Sequence, residues 1–226
     1  MPKRALILAG GWPGHEPEKT AEIFRQELTG AGFDVKVADT LDALLDPALA
    51  QSFDLIVPNW TMGQITNDQE TALLAAVESG VGVGGFHGGM GDAFRNNTRF
   101  QFMVGGQFVA HPDDHRDYVV NIAPRGDPIT AGIRDFKFHS EQYYMHVDPS
   151  NEVLATTTFH TRTAPWINDT IMPVVWKRRY GTGKVFYSSL GHNAKQFDVP
   201  EVREITRRGL IWAAHDTFHL LAHTND

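Results

Sequence analysis

Residues 81–92 read VGVGGFHGGMGD and carry the strongest structural signal in the chain. The first six are small, β-branched or apolar, which predicts a buried strand over residues 81–86. The pattern stops at His87, which two glycines follow, and glycine adopts the backbone angles of a tight turn at little cost. We therefore predict a strand-to-helix elbow with His87 at its tip. Such a tip lies over the carboxyl edge of an open α/β sheet, where these sheets bind ligands.

The segments around the elbow predict the rest of the fold. Before it, strand patterns cover residues 4–9, 33–38 and 53–58, and they alternate with helical patterns over 17–31, 40–51 and 66–80. After it, we predict a helix over 92–104, an extended segment over 105–112, strands over 118–123, 136–144, 152–158, 172–179 and 184–189, and a helix over 200–214. The alternation is typical of a parallel sheet covered on both faces. We expect an α/β fold with an open, mostly parallel, doubly wound sheet of the flavodoxin-like type, and added antiparallel strands in the second half. One domain over residues 1–226, with a peripheral tail after His215, accounts for this pattern.

Composition excludes several classes of function. The 226 residues include no cysteine, so disulfides and thiol nucleophiles are ruled out. The formal net charge of −7 argues against a nucleic-acid partner. Because no apolar run approaches ~20 residues, no membrane span is expected. We expect a cytoplasmic protein, and the sequence leaves open whether it forms a homo-oligomer.

Histidines follow several of the predicted strands. His87 and His192 each come just after an apolar strand, and His15 lies in the loop after the first strand. Since parallel strands end at one edge of a sheet, these rings are predicted to face one cleft. His139 and Glu141 are two residues apart on a strand, so their side chains share a face. Imidazole and carboxylate groups together suit either metal coordination or general acid–base catalysis.

Short segments in a definite order resemble the trehalose-utilisation (ThuA-like) family. They are GFHG at 85–88, GGQF at 105–108, HP at 111–112, DPITAGI at 127–133, SEQYY at 140–144, GTGKVFY at 181–187 and GH at 191–192. The resemblance implies the fold of the class I glutamine amidotransferases, whose elbow carries a cysteine and whose late strand-end histidine is its base. Here the elbow carries His87, and only His192 resembles the base. The resemblance thus implies the fold and removes the amidotransferase chemistry.

The family resemblance also implies a place in sugar catabolism, beside sugar-oxidising dehydrogenases. We expect an enzyme that acts on an oxidised (3-keto) sugar or glycoside by hydrolysis, elimination or isomerisation. Glu141 is the predicted general acid or base, His192 its partner, and His87 a metal ligand or proton shuttle. The residues predicted to bind the small-molecule carbohydrate substrate are Trp12, His15, Trp60 and Tyr143. Relatives often carry Asp-Glu-x-Tyr where this chain has Ser140-Glu141-Gln142-Tyr143, and His139 stands where it could replace that acid.

Two alternatives remain open from the sequence. The first is a non-catalytic carbohydrate-binding or regulatory module that has lost the amidotransferase nucleophile. The second is a metal-dependent protein that binds Zn²⁺ or another divalent ion. Its predicted ligands are His87, His111, His139 and Glu141.

Overall fold

A computed structural model describes residues 2–214 of the chain, and the tail predicted after His215 lies outside them. The strands are β1 (Arg4–Gly11), β2 (Asp34–Ala38), β3 (Leu55–Thr61), β4 (Gly82–Phe86), β5 (Gly106–Ala110), β6 (His115–Ile122), β7 (Phe136–Glu141), β8 (Tyr144–Val147), β9 (Glu152–Thr158), β10 (Ile171–Tyr180) and β11 (Gly183–Ser188). The helices are α1 (Pro17–Gly30), α2 (Leu49–Ser52), α3 (Asn67–Glu78), α4 (His87–Gly91), α5 (Thr98–Val104) and α6 (Pro200–Ala213). Single 3₁₀ turns cover Pro13–His15, Leu41–Leu45, Pro165–Ile167 and Ala194–Asp198. None of these helices is long and apolar enough to cross a membrane.

The described strands build a nine-stranded mixed sheet in the order β2-β1-β3-β4-β11-β10-β9-β6-β7, while β5 pairs with β8 in a separate ribbon. Strands β2, β1, β3, β4 and β11 run parallel to their neighbours. From β11 onward each neighbour is antiparallel, so β7 again runs in the direction of β4. The carboxyl ends of β1, β3, β4, β11 and β7 therefore meet at one edge. This confirms the predicted α/β class, with its parallel first half and added antiparallel strands.

Both faces of the parallel strands are buried. Along β1, Ala5 and Ile7 point to the face covered by α1 and α6, whereas Leu6 and Leu8 point to the face covered by α3. These four side chains are at most 1% exposed. A strand buried on both sides needs apolar residues in succession rather than in alternation, which is how residues 5–9 read.

A capping box stabilises the N-terminus of α3. The Thr66 hydroxyl accepts a hydrogen bond from the backbone N–H of Gln69, and the Gln69 side chain accepts one from the N–H of Thr66. This reciprocal capping box satisfies two amide donors that a helix start would otherwise leave without a partner.

Two predicted elements are wrong in their extent. The helix predicted over 92–104 begins only at Thr98, where the Asn97 side chain accepts from the N–H of Phe100. The strand predicted over 136–144 stops at Glu141, because the buried Gln142 turns inward to donate to Thr157. The chain then leaves the main sheet and continues as β8.

Candidate active site

The predicted elbow is present, and His87 forms its tip. Its φ of 43° lies in the left-handed region, and its side chain is buried, with 1% of its surface exposed. The next residue must be glycine, because a Cβ at Gly88 would lie 2.5 Å from Cε1 of His15. The hydroxyl of Tyr187 donates a hydrogen bond to the His87 carbonyl over 3.0 Å and holds the turn from the neighbouring strand.

Three side chains meet at the tip of the elbow. Nε2 of His87 lies 3.1 Å from Oε2 of Glu141, and Nδ1 of His192 lies 3.3 Å from each of those two atoms. On the other side of its ring, His87 donates from Nδ1 to the carbonyl of Ser189 over 2.9 Å. The three residues come from the ends of β4 and β7 and from the loop after β11, so the shared carboxyl edge of the sheet brings them together.

His15 completes the group from the loop after β1. One of its ligand atoms lies within 4.8 Å of those of His87, Glu141 and His192. Its Nδ1 is held by the hydroxyl of Thr61 at 2.8 Å. We call these four residues the His/Glu cluster. Trp12 packs edge-on against His15, with ring centroids 4.7 Å apart, and is 41% exposed at the rim.

The cluster combines one carboxylate with three imidazoles. Burial lowers the pKa of His15 from 6.5 to about 2, and the neighbouring His87 and His192 rings lower it further. Burial also lowers the pKa of His87. For Glu141, burial raises the pKa, but the adjacent His192 and His87 outweigh that effect and hold the pKa below its ordinary value. The neighbouring histidines thus keep the buried Glu141 ionised, and a buried carboxylate beside imidazole nitrogens is suited to binding a cation.

The structure places the predicted metal ligands differently from one another. His87 and Glu141 are in the cluster, and His111 lies at its border, with Nε2 3.9 Å from Oε1 of Glu141. His139 is not among the ligand groups that converge in residues 2–214. It is exposed and pairs with Asp117, directly across on β6, at 2.8 Å. Of the two residues, Glu141 is buried in the cluster and His139 lies at the surface.

Of the four residues predicted to bind substrate, only two lie at the cleft. His15 and Trp12 lie at the cleft. Tyr143 is only 2% exposed and stacks on the His87 ring at 4.1 Å, so its face is covered and it supports His87. Trp60 is half-buried, and its indole packs against Gly10 and Gly63.

Gln196 is a site residue that sequence reasoning missed. Its Oε1 accepts from the backbone N–H of His192 at 2.7 Å and from the Ser140 hydroxyl at 2.9 Å. The amide thereby ties the His192 loop to the strand that carries Glu141. No motif marks a single glutamine for such a role. Thr61 could have been found, since it comes three residues after the predicted strand 53–58, at the same edge of the sheet.

A second loop contact supports the border of the cluster. Asp113 accepts hydrogen bonds from the Thr163 hydroxyl and from the backbone N–H groups of Arg162 and Thr163. The Thr163 hydroxyl is the largest cause that lowers the pKa of Asp113 from 3.8 to about 2. Asp113 thus joins the loop that follows His111 to residues 160–163.

Fold and site together define an α/β protein whose elbow presents a histidine within a buried His/Glu cluster. The chain belongs to the trehalose utilisation (ThuA) family, whose model matches residues 4–213. No curated protein sequence matches the chain.

Solved structures share the fold at low identity. A ThuA-like protein from Parabacteroides merdae is 17% identical with a TM-score of 0.75, and the match covers 94% of this chain and 90% of that one. A ThuA-like protein from Bacteroides uniformis is 18% identical with a TM-score of 0.73, covering 92% and 89%. A β-galactosidase from Rahnella sp. R3 is 17% identical with a TM-score of 0.58, and 88% of this chain matches 30% of that one. At such identities the likeness shows the fold alone.

Proposed function

We propose that this protein is an enzyme of sugar catabolism that acts on an oxidised (3-keto) sugar or glycoside. The observation that carries the proposal is the buried carboxylate of Glu141, 3.1 Å from Nε2 of His87 and 3.3 Å from Nδ1 of His192. A carboxylate beside two imidazoles can accept a proton and pass it to a neighbouring ring nitrogen.

A ketone at C3 makes such an acceptor useful, because it acidifies the C–H bonds on the neighbouring carbons. Transfer of the C2 proton to Glu141 leaves an enolate, and departure of the C1 substituent with the bonding electrons completes an elimination. Addition of water to the product gives net hydrolysis, while return of the proton at another carbon gives isomerisation. One proton transfer at Glu141 therefore serves all three predicted outcomes.

The surroundings of the cluster suit a sugar. The exposed indole of Trp12 offers an apolar face at the rim. The cavity of about 580 Å³ beside Met62 is lined by none of the four cluster residues and is separate from this site.

We place this activity in the cytoplasm. A structural neighbour from Salmonella typhimurium LT2, 14% identical with a TM-score of 0.66 over 94% of this chain and 100% of that one, is described as a cytoplasmic protein. That description supports the expectation drawn from the cysteine-free composition.

The test is turnover of 3-keto-glycosides by purified protein, followed by chromatography of the released sugar. Glu141→Gln keeps the size of the side chain and removes its charge, and it should lower kcat/KM by about 10²–10⁴-fold. His139→Ala is the matched control, because His139 is exposed and outside the cluster, and it should keep full activity. Full activity in both Glu141→Gln and His87→Ala would refute the assignment.

A second candidate, a non-catalytic carbohydrate-binding module, has one observation in its favour. The same fold occupies only 30% of the Rahnella β-galactosidase, so it also occurs as one part of a larger protein. This candidate predicts saturable binding of the 3-keto-glycoside with no product.

A further inference from the structure

We propose that His87, Glu141 and His192 bind one divalent transition-metal ion of the Zn²⁺ class, with His15 facing the fourth coordination position. The inference deepens the function proposed above by giving the same cluster a cofactor. It also replaces the ligand set predicted from the sequence, since His139 is elsewhere and His111 lies at the border.

The first observation is the pattern of hydrogen bonds made by the His87 ring. The carbonyl of Ser189 can only accept, so the proton of a neutral His87 ring is on Nδ1, 2.9 Å away. Nε2 is then a bare lone pair. It faces Oε2 of Glu141 at 3.1 Å, and an ionised carboxylate is also acceptor-only. Two acceptors at hydrogen-bond distance need a cation between them, either a proton or a metal ion.

The distances among the three ligand atoms fit a tetrahedral ion. Ligands bound at about 2.0–2.1 Å around tetrahedral Zn²⁺ lie about 3.3 Å from one another. The three edges here are 3.1 Å between His87 and Glu141, 3.3 Å between His87 and His192, and 3.3 Å between Glu141 and His192. Three corners of the tetrahedron are therefore already in place.

His15 lies farther out. Its ligand atom is within 4.8 Å of the others, but among residues 2–214 its ring nitrogen bonds to Thr61 and makes no hydrogen bond or ion pair with His87, Glu141 or His192. A water or substrate oxygen bound to the ion would lie next to this ring. Two imidazoles, one carboxylate and one open position form a donor set used by catalytic zinc sites.

Hydrogen-bonding partners behind the three histidines hold them in place, as metal sites require. Ser189 fixes the tautomer of His87, Gln196 holds the backbone of His192, and Thr61 holds the ring of His15. Such partners orient ligands and raise their basicity. Nitrogen donors favour Zn²⁺ and its neighbours over Mg²⁺ or Ca²⁺, which prefer oxygen.

An ion there would act as a Lewis acid on the ketone oxygen of the substrate. Since Oε2 of Glu141 faces the two histidines, Oε1 on the side of His111 remains able to accept a proton. The proposed proton transfer and the proposed ion are therefore compatible.

The experiment uses the full chain, stripped with a chelator and titrated with Zn²⁺. Bound metal is counted by mass spectrometry, and affinity is measured by calorimetry. We expect about one ion per chain. His192→Ala and Glu141→Gln should lose more than about 100-fold in affinity, whereas His139→Ala should stay within about twofold. His15→Ala should keep the one-to-one stoichiometry.

A measurement on the wild-type chain tests the site even if the variants fail to fold. Co²⁺ in place of Zn²⁺ should give the strong visible absorption of a four-coordinate ion. Less than about 0.1 equivalent of bound Zn²⁺, or a Co²⁺ spectrum of the weak octahedral kind, would overturn the site. Loss of Zn²⁺ in His15→Ala as severe as in His192→Ala would overturn the open fourth position.

The two proposals fail in different ways. Tight one-to-one metal binding without turnover of any 3-keto-glycoside keeps the metal site and refutes the proposed function. Turnover that is indifferent to chelator in metal-free protein keeps the function and refutes the metal site.

Discussion

Replacing Tyr187 by phenylalanine tests how the elbow is held. The change deletes one hydroxyl, which donates to the His87 carbonyl over 3.0 Å in a region where both residues are buried. A hydrogen bond of this kind contributes about 0.5–1.5 kcal/mol net to the free energy of unfolding. For a chain of this length, that loss corresponds to a fall in Tm of about 2–4 °C per kcal/mol.

The assay is urea unfolding monitored by circular dichroism. The m-value, the slope of the free energy of unfolding against urea concentration, is compared between the variants. Tyr144→Phe is the matched control, since no hydrogen bond from its half-buried hydroxyl is found within residues 2–214. We expect a loss of about 1 kcal/mol for Tyr187→Phe and less than about 0.3 kcal/mol for Tyr144→Phe at unchanged m. Equal losses in the two variants would show that the tether does not stabilise the elbow.

Three further predictions concern the same neighbourhood. A methyl group at Gly91 would collide with the Tyr187 hydroxyl, so Gly91→Ala should cost about 1–3 kcal/mol, and a double-mutant cycle should show a smaller cost in Tyr187→Phe; a strictly additive cycle would contradict the contact. Gln196→Ala should weaken Zn²⁺ binding about 10–100-fold at unchanged stoichiometry, measured by calorimetry, because it frees the backbone of His192; wild-type affinity would remove its positioning role. Hydrogen bonds lower the pKa of Asp113 to about 2, so its contribution to stability is present above its ordinary pKa of 3.8 and is lost as pH falls toward 2. Urea unfolding should therefore find Asp113→Asn less stable than wild type at about pH 6, with the gap narrowing at about pH 3, and a gap independent of pH would contradict this linkage.

Local patterns were sufficient for the first half of the chain. Short apolar runs predicted β1 to β4, and apolar residues at helical spacing predicted α1 and α3. These patterns lie within each segment, so they could be recognised without knowing its partners. The helix predicted over 92–104 failed because apolar spacing cannot show that α4 already uses residues 87–91. The strand over 136–144 failed because the inward turn of Gln142 depends on Thr157, a distant partner.

The candidate site shows a similar division. The strand-end positions of His15, His87 and His192 were readable, because parallel strands end at a common edge. His139 was grouped with Glu141 by the two-residue period of a strand, which fixes the face of a side chain and not its neighbours. On the structure, His139 meets Asp117, while Glu141 meets His87.

The sequence by itself determined the class of fold, the histidine at the elbow and the absence of a thiol nucleophile, because these depend on residue type and local spacing. Only the tertiary structure decided that Glu141, on a strand at the far end of the sheet order, comes within 3.1 Å of His87. Four reversals of strand direction between β11 and β7 return Glu141 to the shared edge, and packing of that strand carries its carboxylate to the elbow. Those are contacts between segments far apart in the chain, and no local pattern encodes the distance between them.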